Sequence, residues 1–170
     1  MQTKDISQSK IIKDYRERVR YRAESFVAES NKIEGILTVT ARQVREYIRF
    51  VELDEVTVAD LQMFVVVNET TARLRLESGM DVIVGNHQPL PGGQHILYRI
   101  DDILSHINSG IYTPYENHVE YEALHPFSDC NGRSGRALWA WQMRNEGHYW
   151  MLNLGFLHAF YYQSLQVKQP

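Results

Sequence analysis

His125-Pro126-Phe127-Ser128-Asp129-Cys130-Asn131-Gly132-Arg133-Ser134-Gly135-Arg136 stands between two helical patterns, and its reading decides the fold. On its N-terminal side, Thr113-Pro114-Tyr115-Glu116 has the form of a helix start: a capping threonine, a proline in the first turn and a glutamate that closes a capping box. That helix is expected to run to about Leu124, because Pro126 disfavours helix for the residue before it. On the other side, Asn131 to Glu146 returns to helical spacing, with Leu138, Trp141 and Met143 among its apolar residues and Gly147 as a stop. The run is therefore a loop between two helices, with a glycine at the start of the second. It holds a histidine that titrates near neutrality, a carboxylate suited to a hard cation, N–H groups able to hold phosphate oxygens, and two arginines. Phosphoryl and nucleotidyl transfer need these parts.

Outward from the run, more helices follow. Ile12, Tyr15, Val19, Ala23, Phe26, Val27 and Ile33 recur at steps of three and four, which predicts a first helix from about Ser9 to Glu34, stopped by Gly35. Thr40 to Gln43 reads as a capping box before a short helix with Val44, Tyr47 and Ile48. Thr57 caps the next, with Leu61, Phe64, Val65 and Leu74 inward and Gly79 at its end. The stretch from Val82 to Gly93 mixes a β-branched run with turn residues and predicts a loop or small β-hairpin. His95 to Asn108 is helical again, with Ile96, Ile100, Ile103, Leu104 and Ile107 inward. Trp150 to Leu165 is expected to add a final aromatic helix, in a cluster with Trp139 and Trp141. The fold class is thus all-α, one domain over residues 1–170 with a small β-hairpin flap.

Bulk properties narrow the function classes. A length of 170 residues suits one core, and 44% hydrophobic with 23% charged residues is ordinary for a globular protein. A net charge of -3 argues against a broad grip on nucleic acid. Basic residues between Lys10 and Arg22 alternate with Asp14, Glu17 and Glu24 at helical pair spacing, which describes a solvated helix face. No apolar run of about 18 residues suggests a membrane span. The single cysteine, Cys130, fits a reducing compartment, and the absence of a signal-like apolar start makes the cytoplasm the expected location.

The run resembles the signature of the Fic family, HPFx[D/E]GNGRxxR, at every fixed position except one, where Cys130 replaces a glycine. The resemblance extends from about Glu29 to about Met143, and the segment VIVGNHQPLPGG is similar to the flap of one Fic subgroup. It implies a small helical Fic-type domain that transfers AMP from Mg-ATP to a hydroxyl side chain of a target protein. It implies His125 as the base, Asp129 as the ligand of Mg2+, and Asn131 with the N–H groups around Gly132 as the anion hole. Arg133 and Arg136 would hold the β- and γ-phosphates, and Phe127 would anchor the loop. Val82, Ile83, Val84 and Gly85 would dock an extended target segment by main-chain hydrogen bonds. Gly132 favours nucleotidyl transfer, since the phosphotransferase relatives carry lysine there.

Ser30-Asn31-Lys32-Ile33-Glu34-Gly35 is similar to the family's inhibitory motif [S/T]xxxE[G/N]. The resemblance implies that Glu34 pairs with Arg136 and blocks productive seating of the γ-phosphate. Helical steps from Ala23 and Val27 through Ser30 place Glu34 on or beside the inward stripe of the first helix. Alternatives stay open: removal of AMP with Glu34 positioning a water, a different phosphate-containing donor, or a nucleotide-binding or interaction module without catalysis. Self-modification and a homodimer are also open, and no membrane or nucleic-acid partner is expected. Cysteine at position 130 implies either a reshaped anion hole or a thiol near the nucleotide. An inert small residue is the expectation.

Overall fold

Threonine capping sets where the chain turns helical. In the computed structural model, which describes residues 8–147, Thr40, Thr57 and Thr113 each accept a hydrogen bond from the N–H three residues on. The side chains of Gln43, Asp60 and Glu116 return the bond, so all three capping boxes are closed. They start α2 (Ala41–Val51), α3 (Val58–Asn68) and α5 (Pro114–Leu124). The long first helix, α1 (Gln8–Ile33), ends at Gly35 with φ 75, the left-handed conformation that glycine adopts without strain. Gly110 ends α4 (His95–Ser109) in the same way, with φ 63. The last described helix is α6 (Asn131–Asn145). The molecule is therefore mostly helical, as expected of an all-α fold.

Helix α6 is the centre of the packing. It lies against α5 and also meets α2, α3 and α1, while α4 covers the other side of α5. Its Ala137, Leu138, Ala140 and Trp141 are buried, and small residues let α5 come close. Polar bonds lace the α5–α6 seam inside the core: Tyr121 to Ser134 at 2.6 Å between hydroxyls, and Asn117 to Gln142 at 2.8 Å. The apolar face of α1 joins through Ala23, Phe26 and Val27, with Phe26 stacked on Tyr47 of α2 at 4.1 Å between ring centroids. Its opposite face carries the exposed pairs Lys13–Glu17 and Arg20–Glu24. No described helix is long and apolar enough to cross a membrane.

Two expectations change. The third helix stops at Asn68 rather than near Gly79, so Leu74 is not helical. Glu69 is extended at the C-cap, and two β-branched residues follow it, which disfavours another turn. Leu74 instead forms an isolated antiparallel bridge with Phe127. The expected flap hairpin over 82–93 is a single rung: Val84 and His87 exchange two main-chain hydrogen bonds of 2.9 Å across Gly85 and Asn86. Pro89 and Pro91 have no N–H to extend the ladder. The aromatic segment from Trp150 to Leu165 lies outside the described residues. Trp141 is buried and donates its indole N–H to the Leu53 carbonyl at 2.8 Å, and Trp139 packs partly buried against the core.

Candidate active site

The loop between α5 and α6 is tied down by its own main chain. His125 ends α5 in the left-handed region, φ 49, and its N–H still bonds the Tyr121 carbonyl at 3.0 Å. Its Nδ1 lies 3.0 Å from the main-chain carbonyl of Glu122. A carbonyl only accepts, so Nδ1 carries the proton, and Nε2 of the neutral ring is left with a lone pair. Burial lowers the pKa of this histidine below its usual value, with Arg75 and His87 adding to the effect. The ring is thus neutral near pH 7 and chemically able to accept a proton.

Phe127 is fully buried, as the anchor role requires. Asn131 holds the same turn: its side-chain oxygen accepts from the Phe127 N–H and its amide donates to the Phe127 carbonyl, each at 2.8 Å. Both ends of that amide are engaged, so Asn131 contributes to an anion site only through its main-chain N–H. Helix α6 has no side-chain N-cap bond, because its cap residue is Cys130. Its first-turn N–H groups are the usual unsatisfied donors of a helix start. Asp129 is exposed at the mouth of this turn, with one carboxylate oxygen accepting from the Cys130 N–H. Cys130 takes φ 67, where glycine is the unstrained choice. Its thiol is buried, and burial pushes it up to about 12, so it is no nucleophile at neutral pH.

Arg136 is 2% exposed and reaches back to the end of α1. It donates to the Ser30 hydroxyl and carbonyl, each at 3.0 Å, and to the Glu34 carboxylate at 2.7 Å. The same Glu34 oxygen stands 2.5 Å from where a Cβ on Gly132 would be, so the glycine leaves the space that the carboxylate fills. Arg133 is not among the residues lining the cleft; it is buried and donates to the Asn68 carbonyl at the end of α3, at 3.0 Å. There it sits at a helix C-terminus, a favourable place for a cation.

These groups border one cleft of about 470 Å³, lined among others by Glu34, Glu122, His125, Asp129, Gly132 and Arg136. Val82, Ile83 and Val84 form its rim, with Ile83 78% exposed. Gly85 lies at the turn, with φ 58.

Four residues to which the sequence reading gives no role shape the site. Arg75 is completely buried and donates to four main-chain carbonyls: Leu124 and His125 at the end of α5, and Met80 and Leu90 on either side of the flap. One guanidinium therefore fixes both the loop that carries His125 and the flap. His87 adds a second tie, with Nε2 2.9 Å from the Ala123 carbonyl. Glu122 faces the cleft from α5, and His118 lies behind it, bonded through Nδ1 to the Gly135 carbonyl at 3.2 Å.

Among the described residues no group of three or more His, Cys, Asp or Glu side chains gathers as a metal site. Asp129 borders the cleft, and one carboxylate together with phosphate oxygens is a usual way to hold magnesium. No protein-family model and no curated protein matches the chain.

Proposed function

We propose that this protein is a Fic-type protein adenylyltransferase, held inactive by its own Glu34. The observation that carries the reading is the Glu34 carboxylate. It lies on Arg136 and over Gly132, in the same cleft as His125 and Asp129. A carboxylate at a helix start beside a buried arginine occupies the ground a phosphate would need.

In this reading, a target hydroxyl enters along the flap rim and gives its proton to Nε2 of His125. The hydroxyl oxygen forms a bond to the α-phosphorus of ATP. The bond from that phosphorus to the bridging oxygen breaks, and pyrophosphate leaves with the electron pair. The start of α6 at Gly132 would stabilise the negative charge on the transferring phosphate. Asp129 would hold magnesium with the donor phosphates, and the ion would neutralise their charge. Arg136, released from Glu34, would bind the distal phosphates.

The test compares wild type, Glu34→Gly and Glu34→Gly/His125→Ala with α-labelled ATP and magnesium, following label on the protein and on lysate proteins. The expected result is label with Glu34→Gly, little with wild type, and none when His125 is replaced. No label from any form, despite measured ATP binding, rejects the reading. A second reading, removal of AMP, draws on the position of Glu34 within the cleft beside His125. It predicts release of AMP from a modified protein by wild type and not by Glu34→Gly.

A further inference from the structure

We propose that Glu122 is a positioning residue for His125, its carboxyl standing beside the imidazole as the counter-charge of the protonated ring. The proposal rests on the reading of His125 as the base. Glu122 lies one helical turn before His125 and one turn after His118, so α5 presents all three on one side. Its Oε2 is 3.8 Å from Nδ1 of His125, and its Oε1 is 3.9 Å from Nε2 of His118. Oε1 is enclosed and has no hydrogen-bond partner. Buried polar atoms are rarely left so without a functional reason.

The space for this carboxyl is kept by Gly135. A Cβ there would collide with Oε1 of Glu122 and crowd the Tyr121 ring. The charged and titratable surroundings come from every packed element. From α5 come His118, His125 and Tyr121, whose hydroxyl already bonds Ser134. Arg136 acts from α6 and Glu34 from the end of α1. Beyond the ring, Arg75 and His87 bear on His125. Burial is the dominant influence on Glu122 and raises its pKa to about 7, with Glu34 reinforcing and Arg136 opposing. Burial also moves His125, lowering its pKa.

The geometry gives the pair a purpose. At rest Nδ1–H is held by the main-chain carbonyl of Glu122. When Nε2 takes the proton of the attacking hydroxyl, the ring becomes a cation. The carboxylate of the same residue then stands beside Nδ1 as its counter-charge. The carboxyl releases its own proton to solvent through the cleft that it lines.

The experiment follows the ring nitrogens of His125 by NMR across pH in histidine-labelled protein, with the signals assigned by their loss in His125→Asn. Wild type is expected to show two inflections, one near pH 7, and Glu122→Gln a single one below about 6.5. Glu122→Asp, which keeps a carboxyl, retains the upper inflection and serves if the glutamine variant does not fold. In the Glu34→Gly background, Glu122→Gln lowers the transfer rate roughly tenfold, leaves KM for ATP unchanged and removes the rise in rate near pH 7. Identical His125 titrations in wild type and Glu122→Gln overturn the proposal, whether or not label is transferred. A changed titration in a protein that transfers no label upholds the pair and removes the adenylyl-transfer reading.

Discussion

At the scale of single residues, burial has moved several groups of the site out of their usual ranges, Glu122, His118, His125 and Cys130 among them. Glu122 keeps its proton to about pH 7 in the folded chain and loses it near 4.5 when unfolded. The folded state therefore binds more protons between these values, and stability falls as pH rises through that window. Glu122→Gln is expected to stabilise the protein by about 1–3 kcal/mol at pH 8 and to be neutral near pH 4, as read from urea denaturation at the two values. His118 has the opposite sign. Burial lowers it to about 4, so its contribution to stability is lost as pH falls below about 6.5. Cys130, buried and with a strongly raised pKa, is expected to resist thiol reagents at pH 8 in the native state. It should react at the rate of a free thiol in urea, and equal rates in the two states would contradict its burial.

At the scale of elements, Arg75 ties the end of α5 to the flap. Four carbonyls from three segments converge on that guanidinium. Arg75→Met is expected to cost about 3 kcal/mol or more, because it leaves buried acceptors without donors. Hydrogen exchange at Val84 and His87 should speed up with it. Arg75→Lys should recover little, since an ammonium cannot reproduce the forked geometry. Unchanged exchange at the flap would mean that His87 and Ala123 hold it alone. Nothing local in Leu74-Arg75-Leu76 announces this role, because an alternating stretch with a central arginine also describes an edge with the charge turned to solvent. The capping threonines were legible because their partners lie three residues away. The end of α3 was not, because Leu74 answers to Phe127, distant in sequence. Glu122 was missed because glutamates are common on exposed helix faces, and only its phase with His118 and His125 marks it out.

At the scale of the molecule, α1 reaches the cleft only with its last turn. Ser30 and Glu34 hold Arg136, while Phe26 on Tyr47 secures the body of the helix against α2. Between the two helices, the chain from 35 to 40 runs over the surface, with Leu37 88% exposed. On the proposed function, Glu34 is a competitor of the donor that travels on the same chain. Its local concentration is set by a tether of a few residues, of order millimolar or above, and does not change when the protein is diluted. A protease site placed at 36–38 would turn it into an ordinary dissociable ligand. Cleaved protein should then gain transfer activity on dilution while intact protein does not. Transfer that stays equally low after cleavage and extensive dilution would show that the body of α1, rather than the link to α2, keeps the carboxylate in place.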